Sequence, residues 1–124
     1  IDSGFGGGEN YAYTLTSLNQ ALQIAGLSWM ELQIGYHQLD KTNIVNELAE
    51  KINIDKKDAQ EFADNIEENP LHFTQQFIGG IEMERLFSDY KRKNENIISF
   101  REFHSRILNE GSIPISQLRK VILN

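Results

Sequence analysis

Between Asn69 and Leu118 the apolar residues recur at helical spacing, and start and stop signals bracket each run. Asn69-Pro70 reads as a start, because asparagine can cap free amides and proline fits the first helical position. Phe73, Phe77 and Ile81 step by four, and Met83, Phe87 and Tyr90 continue a broad apolar face. The spacing predicts one long helix near residues 70–92, ending about Lys93, roughly 35 Å at the standard rise. The basic cluster Lys91-Arg92-Lys93 suits its C-terminal end. Gly79-Gly80 falls mid-helix, where each glycine costs about 1 kcal/mol relative to alanine. The pair therefore marks a kink or a close approach by another backbone.

Further helices follow from the same signals. Ser99-x-x-Glu102 reads as a capping box, with Phe100, Phe103 and Ile107 as the buried stripe behind it. Glu102 and Arg106 are spaced for an ion pair one turn apart. Gly111 takes the C-cap role, and Pro114 opens a short last helix carrying Leu118, Val121 and Ile122. Upstream, Asn10 to Ala25 reads as a helix with Leu15, Leu18, Leu22 and Ala25 on one face and Gly26 as its stop. Ser28-x-x-Glu31 reads as a second capping box, before Trp29, Leu32 and Tyr36. Thr42 is expected to cap a helix with Ile44, Val45, Leu48 and Ile52 inward and a Glu47–Lys51 pair outward. Asp55 to Asp58 starts another, with Ala59, Phe62 and Ile66 inward. No stretch alternates convincingly as a strand would. The expectation is an all-α chain of six to seven helices, each too short to stand alone. Residues 1–9 form a Gly-rich lead-in and residues 10–124 a helical domain.

Composition limits the function classes. A net charge of −6 argues against nucleic acid as a partner. No apolar run approaches the roughly 20 residues of a bilayer span. With no cysteine there is neither a disulfide scaffold nor a thiolate metal site, and the redox compartment stays open. The sequence begins at Ile1 rather than Met and shows no signal peptide, which reads as a fragment, a processed product or a trimmed chain.

Local chemistry is sparse. Gly4, Gly6, Gly7 and Gly8 could expose amides to a phosphate, but no strand precedes them and no Lys-Ser/Thr follows, so a flexible or site-flanking lead-in is the better reading. His37, His72 and His104 lie on three elements and form no helical zinc pair. They could converge in space with Glu9 as an oxygen ligand, although their spacing does not require it. Among the phenylalanines His104 reads as a partly buried histidine, His72 as a first-turn residue, and His37 as the best placed for function. Glu67-Glu68 and Glu82/Glu84 do not face one another on a helix and make poor acid–base pairs.

The run Ile98-Ser99-Phe100-Arg101-Glu102-Phe103-His104, then Ile107-Leu108, Gly111, Pro114-Ile115 and Leu118, resembles the C-terminal signature of the bacterial domain of unknown function 885 family. Pro70 and Gly79 match that family's spacing, with Gln76 where the family has tyrosine. Gly35 and His37 match a second segment, with Gln33 where the family has aspartate, and Glu9-Asn10-Tyr11-Ala12 resembles a third. The resemblance spans about residues 28–122. Members resemble gluzincin-type zinc metallopeptidases, whose His-Glu-x-x-Pro-Gly-His-His motif would lie upstream of Ile1. The resemblance implies zinc in the parent protein with Glu9 as its third ligand. It implies His37 and Gln76 as catalytic-cleft residues and Tyr36 and His104 as binding residues. In that reading the chain is the C-terminal helical segment of a metallopeptidase-like protein, completing a peptide-binding cleft and not catalytic alone. Its partners would be the upstream catalytic part or a peptide substrate, in the bacterial cytoplasm or periplasm. From the residues alone, the alternative is a non-catalytic helical module that binds a protein or peptide through an apolar groove, or a face of a homo-oligomer. Trp29, Tyr36, Phe73, Phe77, Phe87 and Tyr90 exceed what a short bundle covers comfortably, so an exposed apolar patch is expected.

Overall fold

The computed structural model describes residues 10–95 and 97–124, with only the backbone of Asn10. The Gly-rich lead-in, including Glu9, lies outside the described residues. Those residues form six α-helices and one π-helical turn, with no strand among them: α1 (Asn10–Glu31), the π turn (Leu32–Tyr36), α2 (Lys41–Ile52), α3 (Lys56–Glu68), α4 (His72–Lys93), α5 (Phe100–Glu110) and α6 (Ile115–Leu123). The chain is all-α, as its spacing predicts, and the long helix expected near residues 70–92 is α4. No helix is long and apolar enough to cross a membrane among the described residues. Two compact units, Tyr11–Ile78 and Gly79–Asn124, meet inside α4.

In the N-terminal unit the caps come from aspartates. Asp40 accepts from the Asn43 amide at 2.9 Å, so it caps α2 in place of the expected Thr42. Asp55 accepts from the Lys57 amide at 2.7 Å and opens α3. Asn53 closes α2 at φ 51°, a left-handed conformation that asparagine tolerates better than most residues. Met30, Leu48, Ala59 and Ala63 are fully buried, with Leu27, Ile44, Val45, Ile52, Ile66 and Phe73 around them. The alanines on α3 let α2 pack close against it. Glu47 and Lys51 pair at 3.4 Å on the exposed side.

Gly26 does not stop α1. The helix runs through it, and a Cβ there would lie 2.9 Å from Ile52 Cγ2 and 3.1 Å from Leu48 Cδ1. The glycine makes room for these α2 side chains, which a larger residue would have to displace. Gly79 and Gly80 behave oppositely: among the described residues an added Cβ at either meets no atom within 4 Å, so none of their backbone approaches closely there, and α4 is continuous through both. Asn69 does not cap α4 either. It closes α3, its amide donating to Asn65 O at 2.9 Å.

In the C-terminal unit, Leu86, Phe103, Leu118 and Ile122 make the core. Phe103 sits between Phe87 and Tyr90, with ring centroids 4.9 and 5.6 Å away. Ile107, expected in the buried stripe, is half-buried, and Val121 is exposed. Both halves of the Ser99/Glu102 capping box form: Glu102 Oε2 accepts from the Ser99 amide at 2.8 Å, and Ser99 Oγ accepts from the Glu102 amide at 3.2 Å. That use of Glu102 corrects the expected Glu102–Arg106 pair, and Arg106 binds Glu110 at 2.9 Å instead. Gly111 ends α5 at φ 73°, where a side chain would be strained. Lys93 Nζ donates to the Leu123 carbonyl at the end of α6.

Phe103→Ala is expected to cost about 3–5 kcal/mol in chemical denaturation, and a loss below about 1 kcal/mol would contradict its place in the core. The Ser99 amide and hydroxyl hold the Glu102 carboxyl below the ordinary glutamate value of 4.5. A depressed carboxyl contributes stability above its unfolded pKa and loses it as pH falls through the folded one. Acidification from 4.5 downward should therefore weaken the start of α5, and Glu102→Gln should flatten that limb of the stability–pH curve. An identical limb in the variant would contradict it.

Candidate functional site

The first turn of α4 leaves amides without intrahelical acceptors. Leu71 stands in the cap position and has no side-chain oxygen to offer. It is also held at φ 68°, which is rare for a branched residue. The acceptor comes from α1: Glu31 Oε2 takes the Thr74 amide at 2.7 Å. Ser28 Oγ donates to Thr74 Oγ1 at 3.3 Å beside it. Ser28 and Glu31 therefore do not cap a helix of their own. Both belong to a continuous α1; Glu31 caps α4 across the unit, and Ser28 holds the Thr74 hydroxyl beside it.

Glu31 is 2% exposed. Its other oxygen, Oε1, is buried and has no hydrogen-bond partner among the described residues. The residue lines a cavity of about 510 Å³ with the π turn, Ile66 and Glu67 of α3, and Pro70-Leu71. The π turn is defined by the His37 amide donating to Leu32 O at 3.0 Å. Such turns re-aim the residues that follow, and they recur at functional sites.

The resemblance-derived residues fall as follows. Tyr36 lines the cavity and is otherwise exposed. His37 is exposed just after the π turn, its ring edge-on to Tyr36 with centroids 5.1 Å apart. Gln76 is exposed on α4, and no described contact joins it to Tyr36 or His37. His104 belongs to the other unit. It is exposed rather than partly buried, its ring 4.2 Å from that of Phe100. His72 opens α4 and packs its ring against Phe73 at 5.3 Å. No group of three His, Cys, Asp or Glu among the described residues could hold a metal ion.

Two other surfaces stand out. In the C-terminal unit a groove of about 550 Å³ runs past Glu82, Arg85, Asp89 and Arg119. Most of its charges are paired: Arg85 with Glu82 at 3.1 Å, and Asp89 with both Arg92 and Arg119, while Glu84 also lines it. The face carrying Leu15, Leu18 and Leu22, with Tyr11 in the same register, is not part of the core: Leu15 and Leu18 are each 62% exposed. Leu15, Leu18 and Leu22 line a surface groove of about 530 Å³. Of the 22 residues of α1, only Glu31 carries a charge.

Sequence reasoning found neither the role of Glu31 nor the cavity. Two signals were present: a lone acid ending an uncharged helix, and a start at His72 whose preceding residue cannot cap it. No protein-family model, curated protein or solved structure matches this chain.

Glu31→Ala should cost about 1.5–3 kcal/mol, the range for a hydrogen bond to a charged group, and Glu31→Gln less, because its amide oxygen still accepts from Thr74. The control Glu67→Ala, at an exposed carboxylate, should change stability by under about 0.5 kcal/mol. A neutral Glu31→Ala in urea denaturation would contradict the cap.

Proposed function

We propose that the chain is a non-catalytic helical interaction module that binds a polypeptide along the exposed face of α1. The observation that carries this reading is the combination of exposure and missing charge. Tyr11, Leu15, Leu18 and Leu22 step by four, three and four along one face, and no Lys, Arg, Asp or Glu occurs from Asn10 to Met30. A helix that faces water permanently carries charge on its wet side. A row of large exposed apolar side chains on an uncharged helix is the composition of an interface centre. A membrane surface is a poorer match, because lipid-seeking helices carry Lys and Arg on the polar face. An apolar stripe of this kind suits an amphipathic helix laid alongside, read through anchors one turn apart.

A narrower second reading makes that polypeptide the upstream part of the same protein, so that the chain completes the peptide cleft of a metallopeptidase-like parent. It rests on the resemblance of Ile98 to Leu118 to that family's C-terminal signature, in which Ser99, Gly111 and Pro114 fall at the ends of α5 and α6 in this chain.

Selection of amphipathic helical peptides on the wild-type chain should yield binders, and Leu15→Asp combined with Leu18→Asp should weaken them by at least about 100-fold. Melting should be unchanged, since both side chains are exposed. Peptides that bind the double variant equally well, or an absence of binders, would overturn the α1 reading. For the narrower reading, co-purification with the upstream part is expected. Peptide cleavage by this chain alone with added zinc would contradict it.

A further inference from the structure

We propose that the cavity beneath the π turn binds a small organic cation, a primary ammonium on an apolar body, with Glu31 as its counter-charge. Four observations converge. First, the cavity holds about 510 Å³, within the size range of small-molecule sites. Second, a buried carboxylate lines it with one oxygen unpaired among the described residues. A buried acceptor without a donor costs more than the hydrogen bond it could make, so a donor from outside that reached Oε1 would relieve that cost. Third, the chain itself already satisfies the electropositive helix end: Glu31 Oε2 is on the Thr74 amide. That excludes an anion at the place where a helix start would ordinarily attract one, and leaves Oε1 for a donor. Fourth, the remaining charge of the lining is also acidic. Glu67 lines the cavity, and no Lys, Arg or His does among the described residues. Lys41, which pairs with Glu67 at 3.3 Å, is also held by Asp64 at 2.6 Å.

The rest of the lining sets the ligand's body. Leu32, Ile34, Ile66 and Leu71 offer apolar surface for an alkyl or aryl group. Tyr36 brings an aromatic ring to the same wall, which suits a cation. An ammonium donates three hydrogen bonds and accepts none, matching a site whose free polar atom is an acceptor. The strained Leu71 backbone at the lining is the kind of local strain that packed structures hold at binding sites.

The test is a titration of the whole chain, labelled with nitrogen-15, with n-hexylammonium, n-hexanol and hexanoate in turn. Hexylammonium should shift the Glu31, Gly35 and Thr74 amides saturably. Hexanol and hexanoate should bind at least about tenfold more weakly, a difference expected for a charge-assisted contact. Glu31→Gln should lose the preference for the ammonium. Should that variant fold poorly, Gly35→Phe serves instead: an added Cβ there meets no atom within 4 Å, and Gly35 belongs to the lining, so the ring fills space without touching the cap. Gly35→Phe should weaken hexylammonium binding by at least about tenfold. Equal binding of hexanol and hexylammonium, no saturable shift, or wild-type affinity in Gly35→Phe would overturn the proposal.

Discussion

The Thr74 amide and the Glu31 carboxylate hold the N-terminal unit to one arrangement. α4 begins after a leucine in a left-handed conformation; the Asn69 carbonyl takes the His72 amide at 3.3 Å, but the leucine has no side-chain oxygen to offer the Thr74 amide. A helix start of that kind is stable only when another segment brings an acceptor. α1 brings it, and this sets the rotation of α1 about its own axis: Glu31 must face α4, which turns Met30 and Leu27 into the core. Gly26 must then face α2, where the missing Cβ makes room for Ile52 and Leu48. The electrostatics favour the contact, since a carboxylate meets the positive end of a helix in a place that excludes water. The cost is a second buried oxygen without a donor among the described residues.

Local signals were read from the sequence well, and tertiary uses of the same residues were not. Ser99 and Glu102 form the box their spacing describes, because both partners lie within one turn. Ser28 and Glu31 have the same spacing and serve a different helix. A side-chain oxygen carries no mark of which amide it will reach, and an uninterrupted α1 leaves none free nearby. The glycines teach a related lesson. Gly26 has the spacing of a stop and is a point of close packing, whereas Gly79-Gly80 has the spacing of a kink or a close approach and meets no described atom. Glycine tells that a side chain is dispensable, and only the neighbouring helix tells why. Periodicity identified the face of α1 that bears Leu15 and Leu18, but not that this face would remain uncovered.

The two proposed uses of the molecule occupy different surfaces and different chemistry. The outer half of α1 is uncharged, apolar and exposed, and its affinity would come from buried area. The cavity is lined by the buried Glu31 carboxylate and apolar side chains, and its selectivity would come from one unpaired oxygen. The residues suggested by family resemblance divide in the same way: Tyr36 lies on the cavity wall, while His37, Gln76 and His104 stand exposed with no described cluster of ionisable groups around them.

Amide hydrogen exchange at Thr74 tests the central contact most directly. Bonded to a buried carboxylate, this amide should be as protected as that of Phe77 one turn further into α4, although its place in the first helical turn would ordinarily leave it open to water. Glu31→Ala should release Thr74 while leaving the amides of α6 unchanged. Exchange of Thr74 at the rate of a free amide in the wild-type chain would contradict the account.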